Sequence, residues 1–148
     1  MKLGRTILAF LLAVATTYVL AVAFLTQQVI AKRAAIGANY TLDQQFTTFV
    51  DNLIGLMPAY GAVLTIALLL GFLIATVVKR ILKPLARVAY PIGGAAAVYT
   101  AIYMIENIVA GGGVGALEGA RGSMGMGLQS FAGLMGGVVF AVTRGRRA

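Results

Sequence analysis

Long runs of apolar residues dominate the chain, and shorter polar segments separate them. Four such runs occupy residues 7–27, 57–78, 88–110 and 124–143. A helix rises about 1.5 Å per residue, so about 20 residues cover the ~30 Å hydrocarbon core of a bilayer. The pattern predicts an all-α, polytopic membrane protein with four transmembrane helices, in a single membrane domain over residues 1–148.

The first apolar run has a second interpretation as a secretory signal. Lys2 and Arg5 precede it, and Ala21-Val22-Ala23 resembles a cleavage site. The run is longer than the roughly 7–15 apolar residues of a usual signal peptide. We therefore expect a retained membrane span.

Glycine is concentrated in the last third of the chain, where it weakens the apolar pattern. The glycines of the fourth run are Gly125, Gly127, Gly133, Gly136 and Gly137. Because glycine is commoner in membrane helices than in soluble ones, we still predict a helix there. The glycine-rich segment 110–127 is predicted to be a loop outside the membrane, and a re-entrant turn shielded from lipid is the alternative.

The polar segment between the first two runs contains a helical signature of its own. Thr41 and Gln44 have the spacing of a capping box. Apolar residues follow at helical spacing, namely Leu42, Phe46, Phe49, Leu53 and Leu56. This predicts a short amphipathic interfacial helix over residues 42–54. It would lie on the outer leaflet or pack on a neighbouring subunit, and the sequence favours neither.

The charge distribution predicts an orientation. The net charge is +8, and nine of the twelve basic residues fall on one predicted side, namely Lys2, Arg5, Lys79, Arg80, Lys83, Arg87, Arg144, Arg146 and Arg147. Lys32, Arg33 and Arg121 fall on the other side. By the positive-inside rule both termini are cytoplasmic, and we expect a bacterial inner-membrane protein. Since the basic residues flank apolar runs, we expect no binding of nucleic acid.

The composition excludes most enzyme chemistry. Hydrophobic residues make up 60% of the chain and charged residues 11%, which no ordinary soluble surface can accommodate. Cysteine and histidine are absent and only four acidic residues occur, so thiol, imidazole and carboxylate-pair mechanisms lack their groups. We predict no catalytic residues, no metal site and no cofactor, and therefore a protein that is not an enzyme.

Glu106 is the one charged residue inside a predicted span, where a charge is costly. Tyr99, Tyr103 and Asn107 share its helix face or adjoin it, and Gln129 on the last span is a possible partner. These five residues form the candidate polar site within the membrane. Glu106 would either bind a proton or cation, or serve as a structural hydrogen-bonding residue at a helix contact.

Two further sets of residues concern packing and the membrane surface. Gly133 with Gly137, and Ala132 with Gly136, have the small-xxx-small spacing that lets helices approach closely. The basic residues Lys79, Arg80, Lys83, Arg87, Arg144, Arg146 and Arg147 are candidates for binding lipid headgroups. Tyr60 and Tyr90, near the ends of spans, suit an aromatic belt at the membrane surface.

Residues suited to helix packing therefore outnumber residues suited to catalysis or ligand binding. We expect a small structural or accessory membrane subunit that packs through glycine-rich helix faces, in a homo-oligomer or a larger membrane complex. The lipid bilayer would be its other partner. The alternative is a homo-oligomeric channel or ion-coupled transporter that uses Glu106.

Overall fold

A computed structural model describes residues 2–109 and 122–145, and this part of the chain is all-α, without strands. Its five α-helices are α1 (Lys2–Ala35), α2 (Leu42–Gly55), α3 (Ala62–Ile81), α4 (Ala89–Met104) and α5 (Gly122–Gly145). A π-helical turn, Met57–Gly61, leads into α3, and another, Ile105–Val109, continues α4. Most of the predicted loop 110–127, together with Arg146 and Arg147, lies outside the described residues.

Three helices in this part of the chain are long and apolar enough to cross a membrane. They are Lys2–Ala35 with 34 residues, Met57–Ile81 with 25 and Ser123–Gly145 with 23. These lengths and compositions are those of a helical membrane protein. Although glycine dilutes its apolar pattern, the fourth run forms one of these three helices. The run over residues 88–110 instead gives the shorter α4, whose 16 residues rise about 24 Å before the π-helical turn.

The helices form an up-down-up-down bundle. α5 packs closely on α1 and α4, and α4 packs on α3. α3 meets α1 mainly through large side chains, such as Phe10 and Phe72, whose ring centroids are 6.2 Å apart. At one end of the bundle Arg5 Nε donates to the Thr143 carbonyl oxygen at 3.1 Å. This end, which contains the start of α1 and the end of α5, is called the basic end below.

Glycine backbones form the contact between α5 and α4. Gly133 lies against the Gly94 carbonyl group, and a Cβ atom at Gly133 would be 2.7 Å from Val98 Cγ2. One turn on, a Cβ at Gly137 would be 2.6 Å from Pro91 Cα. No side chain fits at either glycine without separating the helices.

Two other helix contacts use the same principle. On the second face of α5, Gly136 lies against Thr17, and its Cβ would be 3.0 Å from the Ala13 carbonyl oxygen. Between α3 and α4, a Cβ at Gly71 would be 2.8 Å from the Gly93 carbonyl oxygen. Glycine backbones therefore form the contact in three of the four neighbouring helix pairs, and α1–α3 is the exception.

The predicted capping box is present, and it begins the helix α2, Leu42–Gly55, between α1 and α3. That α2 lies along a membrane surface stays a prediction. The Thr41 backbone N–H donates to Gln44 Oε1 at 3.0 Å, and the Gln44 N–H donates to Thr41 Oγ1 at 3.3 Å. α2 is tied to α1 at the end opposite the basic end, because Tyr18 donates its hydroxyl proton to the Leu53 carbonyl oxygen at 2.5 Å. None of its residues is buried, and Phe46 is 69% exposed.

Candidate functional site

Gln129 is fully buried at a junction of three helices. Its Nε2 atom donates to the Ala21 carbonyl oxygen at 2.9 Å, and its Oε1 atom accepts from the Tyr60 hydroxyl at 2.6 Å. Both ends of the amide are therefore engaged, and neither bond involves Glu106. The suggested pairing of Gln129 with Glu106 is not made, because Gln129 points into the bundle. Gln129 acts as a structural cross-link between α1, α5 and the turn before α3.

The other polar residues of the predicted site lie on the outside of α4. Tyr99 is 49% and Tyr103 is 51% exposed. Thr100 and Asn107 are also exposed, and Glu106 is half-buried beside them. The Asn107 Nδ2 atom donates to the Tyr103 carbonyl oxygen at 2.9 Å. These five residues are called the outer stripe of α4 below, and they face away from the bundle interior.

The outward faces of the neighbouring helices have a different composition. The exposed large hydrophobic residues of α3 are all aliphatic, namely Ile66, Leu69, Leu70, Leu73, Ile74, Val77 and Ile81. Those of α1 include Leu8, Leu11 and Leu12. Aliphatic surfaces suit lipid, whereas a hydroxyl that faces hydrocarbon finds no hydrogen-bond partner there. The outer stripe of α4 is therefore less suited to lipid than these aliphatic faces.

The depth of Tyr99 strengthens this contrast. Ten residues separate it from Ala89 at the start of α4, which corresponds to about 15 Å along the helix axis. A helix that entered a ~30 Å hydrocarbon core at Ala89 would have Tyr99 near its middle. The aromatic belt at a membrane surface would not account for a tyrosine at that depth.

A long apolar groove runs beside the outer stripe, between α3 and α4. Its volume is about 720 Å³, and its lining includes Gly71 and Gly93, which meet at the contact of the two helices. Thr100 lines the groove and belongs to the outer stripe, so the two features form one continuous surface. Other small residues of the groove, such as Ala96 and Ala101, lie beside the tyrosines of the outer stripe, and such a combination suits contact with another helix.

Two tyrosines assigned to the aromatic belt are instead buried, so that prediction is wrong for Tyr60 and Tyr90, each 3% exposed. The Tyr90 hydroxyl lies 3.2 Å from Thr76 Oγ1 and accepts from Arg144 Nη1 at 2.6 Å. Lys79 Nζ lies 5.6 Å from the centroid of the Tyr90 ring. The polar partners of both tyrosines are inside the bundle and come from other helices, so local sequence gave no signal of them.

The basic residues proposed to bind lipid headgroups gather where α3 and α5 end. Their described members, all exposed, are Lys79, Arg80, Lys83, Arg87 and Arg144. The described acidic residues are Asp43 and Asp51, which lie on α2, and Glu106, which lies beyond the other end of α4. The basic end is thus strongly cationic within the described part of the chain.

The described residues contain no cluster of three or more histidine, cysteine, aspartate or glutamate side chains that could hold a metal ion. Comparison of the chain with known protein families, with characterised proteins and with solved structures gives no match.

Proposed function

We propose that this chain is a small, non-enzymatic structural or accessory subunit of the bacterial inner membrane. It spans the membrane four times, with α1, α3, α4 plus its π-helical turn, and α5, and both termini lie in the cytoplasm. The basic end, which collects the cationic residues, then faces the cytoplasm in accord with the positive-inside rule. α2, exposed and tied to the opposite end of α1, lies along the outer leaflet.

The surface that binds the partner is the outer stripe of α4 together with the α3–α4 groove. The glycine pairs of α5 do not provide it, because Gly133, Gly136 and Gly137 contact α1 and α4 of the same chain. The observation that carries the proposal is the half-exposed Tyr99, which lies at mid-membrane depth among aliphatic outward faces. A partner helix of a second copy or of another membrane protein would cover its ring and bind its hydroxyl.

Glu106 fits the same surface. A carboxylate inside a span requires a partner or a proton, and the described contacts of Glu106 include no hydrogen bond or ion pair. A donor from a neighbouring helix would meet this requirement. The stripe would then hold an assembly together by a few hydrogen bonds within an apolar contact.

The mass of the protein extracted in mild detergent tests this proposal. We expect a complex larger than one chain, either a homo-oligomer or a complex with a second membrane protein at constant ratio. A monodisperse monomer of 15.4 kDa, with no companion protein, would refute the proposal.

A homo-oligomeric channel or ion-coupled transporter is the second candidate, and the outward position of the stripe favours it specifically. If the α4 helices of several copies faced a common axis, Tyr99, Tyr103 and Glu106 would line that axis. Ion flux into proteoliposomes should then fall strongly in Glu106→Gln. Equal flux in both proteins, or none in either, would eliminate this function while leaving the accessory role intact.

A further inference from the structure

The seam between α1 and α3 is open at the basic end. It encloses a cavity of about 320 Å³ whose lining is almost entirely apolar. Phe10 and Ile7 line it from α1, and Leu69 and Leu73 line it from α3. The seam is open because no glycine contact joins these two helices, which meet through aromatic rings instead.

The guanidinium group of Arg144 borders this cavity and is held in place by aromatic side chains. One of its nitrogens donates to the Tyr90 hydroxyl. The group also lies over two rings, 5.7 Å from the Phe140 centroid and 5.8 Å from the Tyr90 centroid. Such contacts restrict the side chain, so little further ordering is needed when it binds an anion.

Two other basic side chains, those of Lys79 and Arg5, contact residues next to Arg144. Lys79 Nζ, on α3, lies 5.6 Å from the centroid of the Tyr90 ring. Arg5 binds the carbonyl of Thr143, the residue before Arg144. Among the described residues every carboxylate belongs to α2 or to the far end of α4, so none offsets these charges. Like charges at one end of the bundle repel each other, and an anion bound there lowers that repulsion.

We propose that this seam binds a phospholipid with an anionic headgroup. One acyl chain lies in the cavity between α1 and α3, and the phosphate group pairs with Arg144, with Arg5 and Lys79 near it. A guanidinium group matches the geometry of a phosphate and can donate two hydrogen bonds to it. The combination of an apolar slot and cations at its membrane-surface end matches the two parts of such a lipid.

The size of the cavity argues against a protein helix as its occupant. At about 320 Å³ it lies at the lower limit of ordinary ligand pockets, which hold roughly 300–1,000 Å³. A helix with its side chains is about 10–12 Å wide and would have to separate Phe10 from Phe72. An acyl chain requires no such movement.

This inference requires only that the bundle lies in a bilayer, and it does not depend on the partner surface of α4. The two faces of α3 allow a depth-matched test, since Leu73 lines the α1–α3 cavity and the next residue, Ile74, lines the α3–α4 groove. Both are exposed, at 57% and 64% respectively. The chain contains no tryptophan, so a single tryptophan at either position is the only indole in the protein.

The experiment measures quenching of that tryptophan by brominated lipid. Leu73→Trp and Ile74→Trp are reconstituted in phosphatidylcholine vesicles with a minor fraction of brominated phosphatidylglycerol or brominated phosphatidylcholine. In Leu73→Trp we expect the anionic lipid to quench about fivefold more effectively than the zwitterionic lipid at equal fraction. In Ile74→Trp we expect a ratio near one.

The charge of Arg144 is then removed. Adding Arg144→Gln should reduce the ratio in Leu73→Trp to near one, whereas Arg33→Gln, which removes an exposed charge from the end of α1 opposite the basic end, should leave it unchanged. Unaltered quenching of Ile74→Trp in the Arg144→Gln background verifies that the bundle remains folded. A ratio of one in Leu73→Trp, equal ratios at both positions, or a ratio insensitive to Arg144→Gln would each overturn the proposal.

Discussion

The two sides of α4 differ in how fully the rest of the chain covers them. On the inward side Gly94 lies against Gly133 of α5, backbone on backbone, with no room for a methyl group. On the outward side Tyr99 and Tyr103 each leave about half of their surface uncovered. The glycine contact is made within one chain. The outward side instead presents amphipathic tyrosine rings, which suit lipid less well than an aliphatic surface does. The closest packing in the described part of the bundle is therefore internal, and the proposed contact with a partner falls on the half-exposed tyrosines.

The largest expected effect concerns the inward side. Gly133→Ala puts a Cβ against the Gly94 carbonyl group, which as backbone cannot rotate away, so we expect a loss of about 1–3 kcal/mol or more in stability. Gly127→Ala on the same helix meets nothing within 4 Å and should be neutral or stabilising by up to ~1 kcal/mol. Thermal unfolding in mild detergent measures both. Similar losses in the two variants would show that α5 is not held by this contact.

The next effect concerns the buried hydrogen bonds that join the helices. Tyr60→Phe leaves Gln129 Oε1 buried without its donor, which should cost about 1–3 kcal/mol of unfolding free energy. Tyr103→Phe, on the outward side, removes a hydroxyl from an exposed ring and should change the stability of the isolated chain by less than about 0.5 kcal/mol. Equal costs for the two substitutions would contradict the difference between the two sides of α4.

The smallest effect on the isolated chain, and the clearest on assembly, comes from replacing both outward tyrosines. Tyr99→Leu with Tyr103→Leu should leave the unfolding temperature in detergent nearly unchanged, because these rings contribute little to the internal core. The double variant should nevertheless lose the larger complex seen for the native chain, since tyrosines dominate binding energy at such contacts. A complex of unchanged mass and stability would show that the outer stripe does not bind the partner.

The sequence predicts the helical architecture well because its signals are local. The capping box of Thr41 and Gln44 predicts the start of α2, which is where the structure has it. Apolar runs of sufficient length predict four spans, and three of them form helices long and apolar enough to cross a membrane. Over residues 88–110, apolar content does not reveal where the α-helix gives way to a π-helical turn.

The partners of individual side chains could not be predicted, because they depend on how the helices are arranged around the bundle. Small-xxx-small spacing identifies Gly133 and Gly137 as packing residues, but not α4 as their neighbour. Gln129 and Glu106 are both near the end of the bundle opposite the basic end, yet they point in different directions. Tyr90 resembles a belt residue by position, but its hydroxyl contacts Thr76, 14 residues earlier in the chain, and Arg144, 54 residues later.

The central claim is that the outer stripe of α4 contacts a protein while the outward face of α1 contacts lipid. The chain has no cysteine, so Tyr99→Cys and Leu11→Cys each provide one site for a benzophenone label. These positions are 49% and 58% exposed and lie at similar distances from the basic end. After illumination in native membranes, we expect Tyr99→Cys to yield a protein adduct of defined mass and Leu11→Cys to stay at the mass of one chain. Adducts of equal yield at both positions, or none at Tyr99→Cys, would contradict the account.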